Sequence, residues 1–340
     1  MHSPQITVLM PAYNAGKYIR EAITSVLEQS FTDFELLIVN DGSTDDTLEI
    51  IKSFTDERIV VLSQLNKGVA AALNNGLRHA RAPYIARFDA DDVCYPYRLQ
   101  VQYDFITSHP YYSIIGSGVD YTDVRGNLIF TWQPDAMSHA EIRQLSYRIC
   151  PFIHSSVFYK REAVLNAGGY NELAYTFEDH FLWAGILKHE KAFNLNQPLI
   201  KVRLNAESIT IDEKWRTGKF RQIKYSTLRK LSITEAEGRQ LSEIGIKQLS
   251  PRIKKGAYYA LLGKKYLWNN YQPEKARKNL LKTLSISPLH VKNYFLLLMS
   301  YLPERTLIRL YQLAKGNFRL AEADEPPTAV LNQKELNYGS

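Results

Sequence analysis

Apolar residues along the first ninety positions fall into short continuous runs separated by stretches of helical spacing. Ile6-Thr7-Val8-Leu9-Met10 reads as a strand that Pro11 ends. Asn14 is placed to cap a helix from Tyr18 to Gln29, where Ile19, Ala22, Ile23 and Val26 share one face. Phe34 to Val39 predicts a second strand, closed by the turn-forming Asn40-Asp41-Gly42-Ser43. Asp45 opens a helix carrying Leu48, Ile51 and Phe54. Ile59-Val60-Val61-Leu62 predicts a third strand, and Asn66-Lys67-Gly68 leads into an alanine-rich helix ending at His79. Tyr84 to Phe88 predicts a fourth strand that runs into Asp89-Ala90-Asp91-Asp92.

Strands alternating with helices at roughly 25-residue intervals predict an α/β fold, a parallel sheet with helices on both faces. Ligands of such sheets bind at the carboxyl ends of the strands. Three of those ends carry Pro11-Ala12-Tyr13-Asn14, Asp41-Gly42-Ser43 and Asp89-Ala90-Asp91. Beyond roughly Lys214 the strand signals fade and helix formers take over. Gly256 to Pro303 reads as paired amphipathic helices, with Ala257, Tyr258, Leu261 and Leu262 on one and Ala276, Leu280, Leu281 and Leu284 on the other. With Pro288 after the second helix, the spacing is similar to one tetratricopeptide-like unit. A single unit cannot bury its own face, so it is expected to pack on the rest of the chain, a partner or a membrane.

Composition narrows the classes. The chain has 340 residues, 45% apolar and 23% charged, which excludes a disordered or fibrous protein. Its two cysteines, Cys94 and Cys150, exclude a disulfide framework and a cysteine-based zinc cluster, and fit a reducing compartment. Met1-His2-Ser3-Pro4-Gln5 offers no basic run leading into an apolar one, so no secretory leader is expected. The apolar run Tyr294–Met299 is far shorter than the ~20 residues that span a bilayer.

The net charge of +7 conceals an asymmetry. Residues 216–320 hold 22 Lys and Arg against 5 Asp and Glu, whereas residues 1–215 hold 19 against 26. Such a basic segment suits an anionic partner. It lacks an RNA-binding aromatic motif or a DNA-reading helix, so no nucleic acid is expected and an anionic membrane surface is favoured; a merely solvated basic face is the alternative. The expected division is a catalytic domain over 1–214, a basic helical region over 215–320, and a mobile acidic tail over 321–340.

The chemistry concentrates in carboxylates. Asp89, Asp91 and Asp92 within four residues would repel one another unless a cation or water relieves them, and hard oxygen ligands suit Mg²⁺ or Mn²⁺. A solvated acidic turn is the plain alternative. Asp41 could accept from a nucleobase or ribose, or simply cap a turn. Asn66-Lys67-Gly68 offers a cation and free backbone near a helix start, as phosphate requires. Glu178-Asp179 stands at a helix start, where the dipole alone would favour carboxylates.

Taken in order, these pieces resemble the family 2 glycosyltransferases, which have the GT-A fold. The match covers about residues 5–210. It runs through Val8-Leu9-Met10-Pro11-Ala12-Tyr13-Asn14, Val39-Asn40-Asp41-Gly42-Ser43-Thr44-Asp45, Asn66-Lys67-Gly68 with Ala72-Leu73-Asn74, and Arg87-Phe88-Asp89-Ala90-Asp91-Asp92. It continues with Pro96-Tyr97-Arg98-Leu99 and Gln102, His154-Ser155-Ser156-Val157, Gly168-Gly169-Tyr170 and Glu178-Asp179.

The resemblance implies a doubly wound, mainly parallel sheet followed here by a helical annex. The implied activity is metal-assisted, inverting transfer of a sugar from a nucleotide-sugar, first of all a UDP-sugar, to a glycan or lipid-linked acceptor. It would serve cell-surface polysaccharide synthesis in the cytoplasm, peripherally at the inner membrane face.

It also implies roles by position. Pro11, Ala12 and Tyr13, followed by Asn14, would line the base, and Asp41 would bind base or ribose. Asn66, Lys67, Gly68 and Arg87 would flank the nucleotide. Asp89 would contact ribose or sugar and share the metal with Asp91, and Asp92 would meet sugar hydroxyls. Asp179 would be the general base, with Glu178 beside it, and His154 would lie on the acceptor side. Relatives often carry Tyr-Arg-x-His-x-x-Ser after the catalytic helix. Here Val202-Arg203-Leu204-Asn205-Ala206-Glu207-Ser208 keeps Arg203 as an expected diphosphate clamp but puts Asn205, a weaker oxygen ligand, in place of the histidine.

Two other classes compete. Asp89-Ala90-Asp91-Asp92-Val93 after a strand mimics the nucleophile motif of haloacid-dehalogenase-like phosphotransferases, with Asp89 attacking phosphorus. A non-catalytic helical adaptor would leave the acidic cluster idle. A Rossmann dehydrogenase is excluded, because Gly116-Ser117-Gly118 lacks the third glycine and the helix.

Overall fold

The computed structural model describes residues 3–206, 217–247, 250–269 and 271–310. The expected 214/215 boundary, Glu207, Ser208 and the 321–340 tail lie outside those residues.

Four parallel strands form the first half of the sheet: β1 (Ile6–Ala12), β2 (Phe34–Asn40), β3 (Ile59–Ser63) and β4 (Tyr84–Arg87). Their order is β3-β2-β1-β4, and α1 (Ile19–Leu27), α2 (Thr47–Lys52) and α3 (Val69–His79) connect them. Side chains alternate between two buried faces, which is why the strands read as unbroken apolar runs. Val8, Met10, Leu36 and Ile38 pack with Ile19 and Ile23 on one side. Leu9, Leu37 and Val39 pack with Leu73 and Leu77 on the other.

The second half is mixed. β5 (Val93–Cys94), α4 (Arg98–Ser108), β6 (Tyr112–Thr122), β7 (Leu128–Trp132) and α5 (His139–Ser146) come first. A 3₁₀ turn (His154–Ser156), β8 (Phe158–Lys160), α6 (Arg161–Asn166), α7 (Glu178–Ile186) and β9 (Lys191–Arg203) follow. The sheet continues β4-β8-β6-β9-β5, with β7 paired to β6; β6 and β9 run parallel, whereas β8 is antiparallel to both β4 and β6. The result is the expected α/β architecture with a helical region after it.

Two local expectations change. β1 runs past Pro11 to Ala12, since β4 pairs only as far as Leu9 and Arg87 and leaves no ladder bond there for a proline to break. Asn14 does not cap α1, whose start has no side-chain cap. It sits instead in the left-handed region at φ 49° and bonds to the β2 loop.

The helical region comprises α8 (Gly218–Lys230), α9 (Glu235–Lys247), α10 (Pro251–Trp268), α11 (Pro273–Ile286) and α12 (Val291–Met299). Phe220 and Leu241 of α8 and α9 pack against Ala174 and Phe177, just ahead of α7. α10 and α11 cross closely at Gly263, where a Cβ would lie 2.7 Å from Leu280 Cγ. Leu262, Tyr266, Ala276 and Met299 share a core with Ile129 and Phe130 of β7, so these helices pack on the sheet domain. Ala276 and Leu280 are buried as expected. Leu281 is not; it lies 55% exposed because the inward stripe of α11 runs through Ala276, Leu280 and Thr283.

Candidate active site

The carboxyl ends of β1, β2 and β4 and the loop after β3 meet above the parallel half of the sheet. Register brings them together: Ala12 pairs with Asn40, Asp41 N–H donates to Ala12 O, and Phe88 N–H donates to Leu9 O. Pro11 and Ala12 finish β1, and Tyr13 follows half-exposed. The Asn14 side-chain oxygen accepts from Thr44 N–H at 2.8 Å, and Asn14 N–H donates to Ser43 Oγ. Asn14 thus ties the two strand-end loops together.

Asp41 is buried, and its carboxylate anchors the third loop. Oδ1 accepts from Lys67 N–H at 2.9 Å and from Gln64 Nε2 at 2.8 Å; Oδ2 accepts from Gly68 N–H at 2.8 Å. Gly42 turns at φ +72°, and a Cβ there would meet Asn66 N at 2.7 Å, so the close approach needs glycine. Asn66, Lys67 and Gly68 remain exposed along the rim.

At the end of β4 the acidic cluster assembles as the sequence predicts. Asp89, Asp91 and Asp92 present oxygens all within 4.8 Å of one another. Arg87 is buried and ion-paired with Asp89; burial disfavours its charge, but Asp89 more than offsets this and holds it protonated. Burial and the Asp89 charge push Asp91 up to about 6. Burial, with Asp91 and Asp89 beside it, pushes Asp92 well above the ordinary carboxylate range. Such mutual repulsion is what a hard divalent cation relieves, so the donor set fits Mg²⁺ or Mn²⁺. Asp89 and Asp91 are the partly exposed pair that would hold it.

Two assignments are revised here. Asp92 is 2% exposed and accepts from Arg203 N–H at 3.0 Å and from the Ser155 hydroxyl. It is placed to brace the turn rather than to meet a sugar. Arg203 is not a free clamp: Nε donates to Asp91 O at 3.0 Å, Nη1 to Val124 O at 3.3 Å, and Nη2 pairs with Glu21 at 2.6 Å. With each guanidinium nitrogen committed, it fixes the Asp91–Asp92 turn to β9. Asn205 follows, and its side-chain amide donates to Asp91 Oδ2 at 3.2 Å.

The second cluster lies across β8. His154 Nε2 is 3.0 Å from the Tyr170 hydroxyl; burial, with Arg87 nearby, drives its pKa well below the usual value, so it is neutral. Asn74 of α3 grips Tyr170 through both backbone groups, at 2.8 Å each. Asp179 and Glu178 open α7, two residues after Thr176, a non-glycine residue at φ 65°. A left-handed threonine is a strained feature of the kind that gathers at functional sites. The Cys150 thiol donates to Asp179 Oδ2 at 3.5 Å, and burial together with Asp179 raises the thiol well above its ordinary pKa.

Tyr170, Glu21, Gln64 and Cys150 carry contacts at the site, where sequence alone assigned them no role. The pairing of Tyr170 was half signalled by the Gly168-Gly169-Tyr170 motif. Nothing local marks Glu21 or Gln64.

Residues 7–167 match the family described as "Glycosyl transferase family 2". EpsE of Bacillus subtilis is 33% identical over 215 residues, covering 60% of this chain and 75% of that protein. The amylovoran biosynthesis glycosyltransferase AmsE of Erwinia amylovora is 29% identical over 216 residues, covering 62% and 80%. Among solved structures, S. aureus TarS 1–349 in complex with UDP-GlcNAc superposes with a TM-score of 0.52 at 16% identity, covering 91% of this chain and 92% of that one. The chain spans 54% of the longer TarS structure.

Proposed function

The chain belongs to the family 2 glycosyltransferases, and from that premise we propose that it moves a sugar from a nucleotide-sugar to a hydroxyl of a glycan or lipid-linked acceptor, with inversion. The observation that carries the reading is the Asp89–Asp91–Asp92 cluster at the end of β4, beside a loop that Asp41 holds in place. With the family known, neither a phosphotransferase with Asp89 as nucleophile nor an idle adaptor is retained.

On this reading Pro11, Ala12 and Tyr13 border the base, Asp41 shapes the wall that receives it, and Lys67 faces the phosphates from the rim. Arg87 and Asp89 contribute to the nucleotide side. When bound, Mg²⁺ or Mn²⁺ at Asp91 and Asp89 would neutralise charge on the departing diphosphate. Asp179 accepts the proton of the acceptor hydroxyl as its oxygen bonds to the anomeric carbon. The bond to the diphosphate breaks on the opposite face, so configuration inverts. Glu178 stands beside the base, and His154, neutral, faces the acceptor side through Tyr170.

UDP-sugars are the first donors to test, because TarS, of the same fold, is solved with UDP-GlcNAc. The amylovoran relative supports a polysaccharide acceptor. The same reading puts the enzyme in the cytoplasm, peripheral at the inner membrane face, supported by its basic residues 216–320. A UDP-release assay over several UDP-sugars, with Mn²⁺ or Mg²⁺ and with chelator, tests it. The expected result is metal-dependent release with one preferred sugar. Absence of both release and donor-dependent thermal stabilisation would overturn it.

A further inference from the structure

The outer face of α12 is apolar and faces solvent. Val291 is 77% exposed, Phe295 63%, Leu298 70% and Tyr294 45%. Their spacing of three and four puts them on one side of the helix, while Asn293 and Met299 point inward. Leu289, 92% exposed, precedes this stripe, and Tyr301, 69% exposed, continues it. Contiguous exposed leucine and aromatic side chains mark an interaction surface rather than scattered exposure.

The charges next to the stripe along the chain are mainly cationic, with Glu274 and Glu304 bounding the stretch. Lys275, Arg277, Lys278, Lys282 and Lys292 lie between positions 275 and 303, and that stretch contains no Asp or Glu. Arg277 donates to Ser300 O at 2.8 Å and stacks 4.8 Å from the Tyr301 ring, so a cation borders the apolar end directly. Lys292 is exposed beside the stripe. Apolar and aromatic residues rimmed by lysine and arginine are the composition of a helix that lies in the interface of an anionic bilayer. Two copies meeting through this face would instead bring like charges together. No described helix is long and apolar enough to cross a membrane.

We propose that the α12 face, with Leu289 and Tyr301, docks the enzyme on an anionic lipid surface, with Val291, Tyr294, Phe295 and Leu298 entering the interface and Arg277 and Lys292 meeting the headgroups. The proposal rests on the peripheral-membrane reading above and names its surface. It does not depend on the transfer reaction.

The test is co-sedimentation of the full chain with vesicles of phosphatidylcholine alone and with added phosphatidylglycerol. The expected result is binding to the anionic vesicles only, weakened by salt. Phe295→Ser with Leu298→Ser should lower partitioning by about a hundredfold, each buried side chain contributing about tenfold. Lys292→Glu, a surface change, should weaken binding without touching the apolar stripe. Sugar-nucleotide turnover with a soluble acceptor should stay unchanged in all variants, which separates this surface from the catalytic reading. No vesicle binding, or binding indifferent to the double variant, overturns the proposal. So does a dimer in sedimentation that the double variant dissociates, which would assign the face to a second copy.

Discussion

Asn205 donates its side-chain amide to Asp91 Oδ2 at 3.2 Å, where the family pattern carries a histidine. The amide presents its NH₂ to the carboxylate, and only with the amide turned over would Asn205 offer a cation an oxygen. An imidazole binds Mn²⁺ better than an amide oxygen does, while Mg²⁺ prefers oxygen. Asn205→His is therefore expected to lower the Mn²⁺ concentration for half-maximal rate by about tenfold and to leave the Mg²⁺ requirement little changed. Metal titrations of donor turnover check this; equal shifts for both ions would count against a ligand position at 205.

Asp91 gives the metal-free protein a pH signature. Its carboxyl titrates near 6 in the folded state, raised by burial and by Asp89, against 3.8 when unperturbed. A raised acid favours the folded state while protonated. Its contribution is complete below about pH 3.8 and is lost as pH rises through about 6. Chelator-treated enzyme should therefore lose thermal stability over that window, and Mn²⁺, which binds the ionised form, should restore it at pH 7 but hardly at pH 5. Asp91→Asn is expected to raise the chelated Tm at pH 7 by on the order of a few °C and to remove the Mn²⁺ response. Thermal melts across pH with and without metal measure both.

The loop from Gln64 to Gly68 depends on Asp41. Removing its carboxylate strands the part-buried Lys67 and Gly68 amides and the Gln64 side chain, at a cost of about 1 kcal/mol, the low end of the range for donors left unpaired. Asp41→Ala should lower stability by that order and raise the donor KM more than it lowers kcat. Asp41→Asn keeps the shape but turns an NH₂ toward an N–H, so it should recover little. Thermal melts and donor titrations would show whether the loop or only the ligand contact is lost.

The sequence was informative where contacts are local. β1 to β4 are apolar on both faces, and each strand end carries its polar residues within a few positions, so the convergence of these loops could be read without coordinates. What joins the halves was hidden. Arg203 reaches Asp91 across 112 positions and Glu21 across 182, because β9 pairs antiparallel to β5, the short strand that directly follows the acidic turn. Arg203 looked like a ligand clamp because nothing near it in sequence shows that its guanidinium is already paired. The short antiparallel strands, two residues in β5 and three in β8, are below the length at which periodicity speaks.

Asp179 is the proposed general base. Asp179 is partly exposed at the first turn of α7 and is held from two sides, by His180 N–H at 2.6 Å on Oδ1 and by the Cys150 thiol at 3.5 Å on Oδ2. Asparagine fits the same space but cannot accept a proton, so Asp179→Asn should cut kcat by about 10²–10⁴-fold. Donor affinity, which the proposed reading assigns to the loops after β1 to β4, should hold within about twofold, which donor titration by thermal shift measures separately. Glu178→Gln should fall far less if Glu178 only flanks the base. Cys150→Ser tests the brace: it keeps a donor and should stay near the native rate, whereas Cys150→Ala should lower kcat severalfold at unchanged donor affinity. If Asp179→Asn turns over at near the native rate while Glu178→Gln does not, the base is Glu178, and the Cys150 contact is incidental.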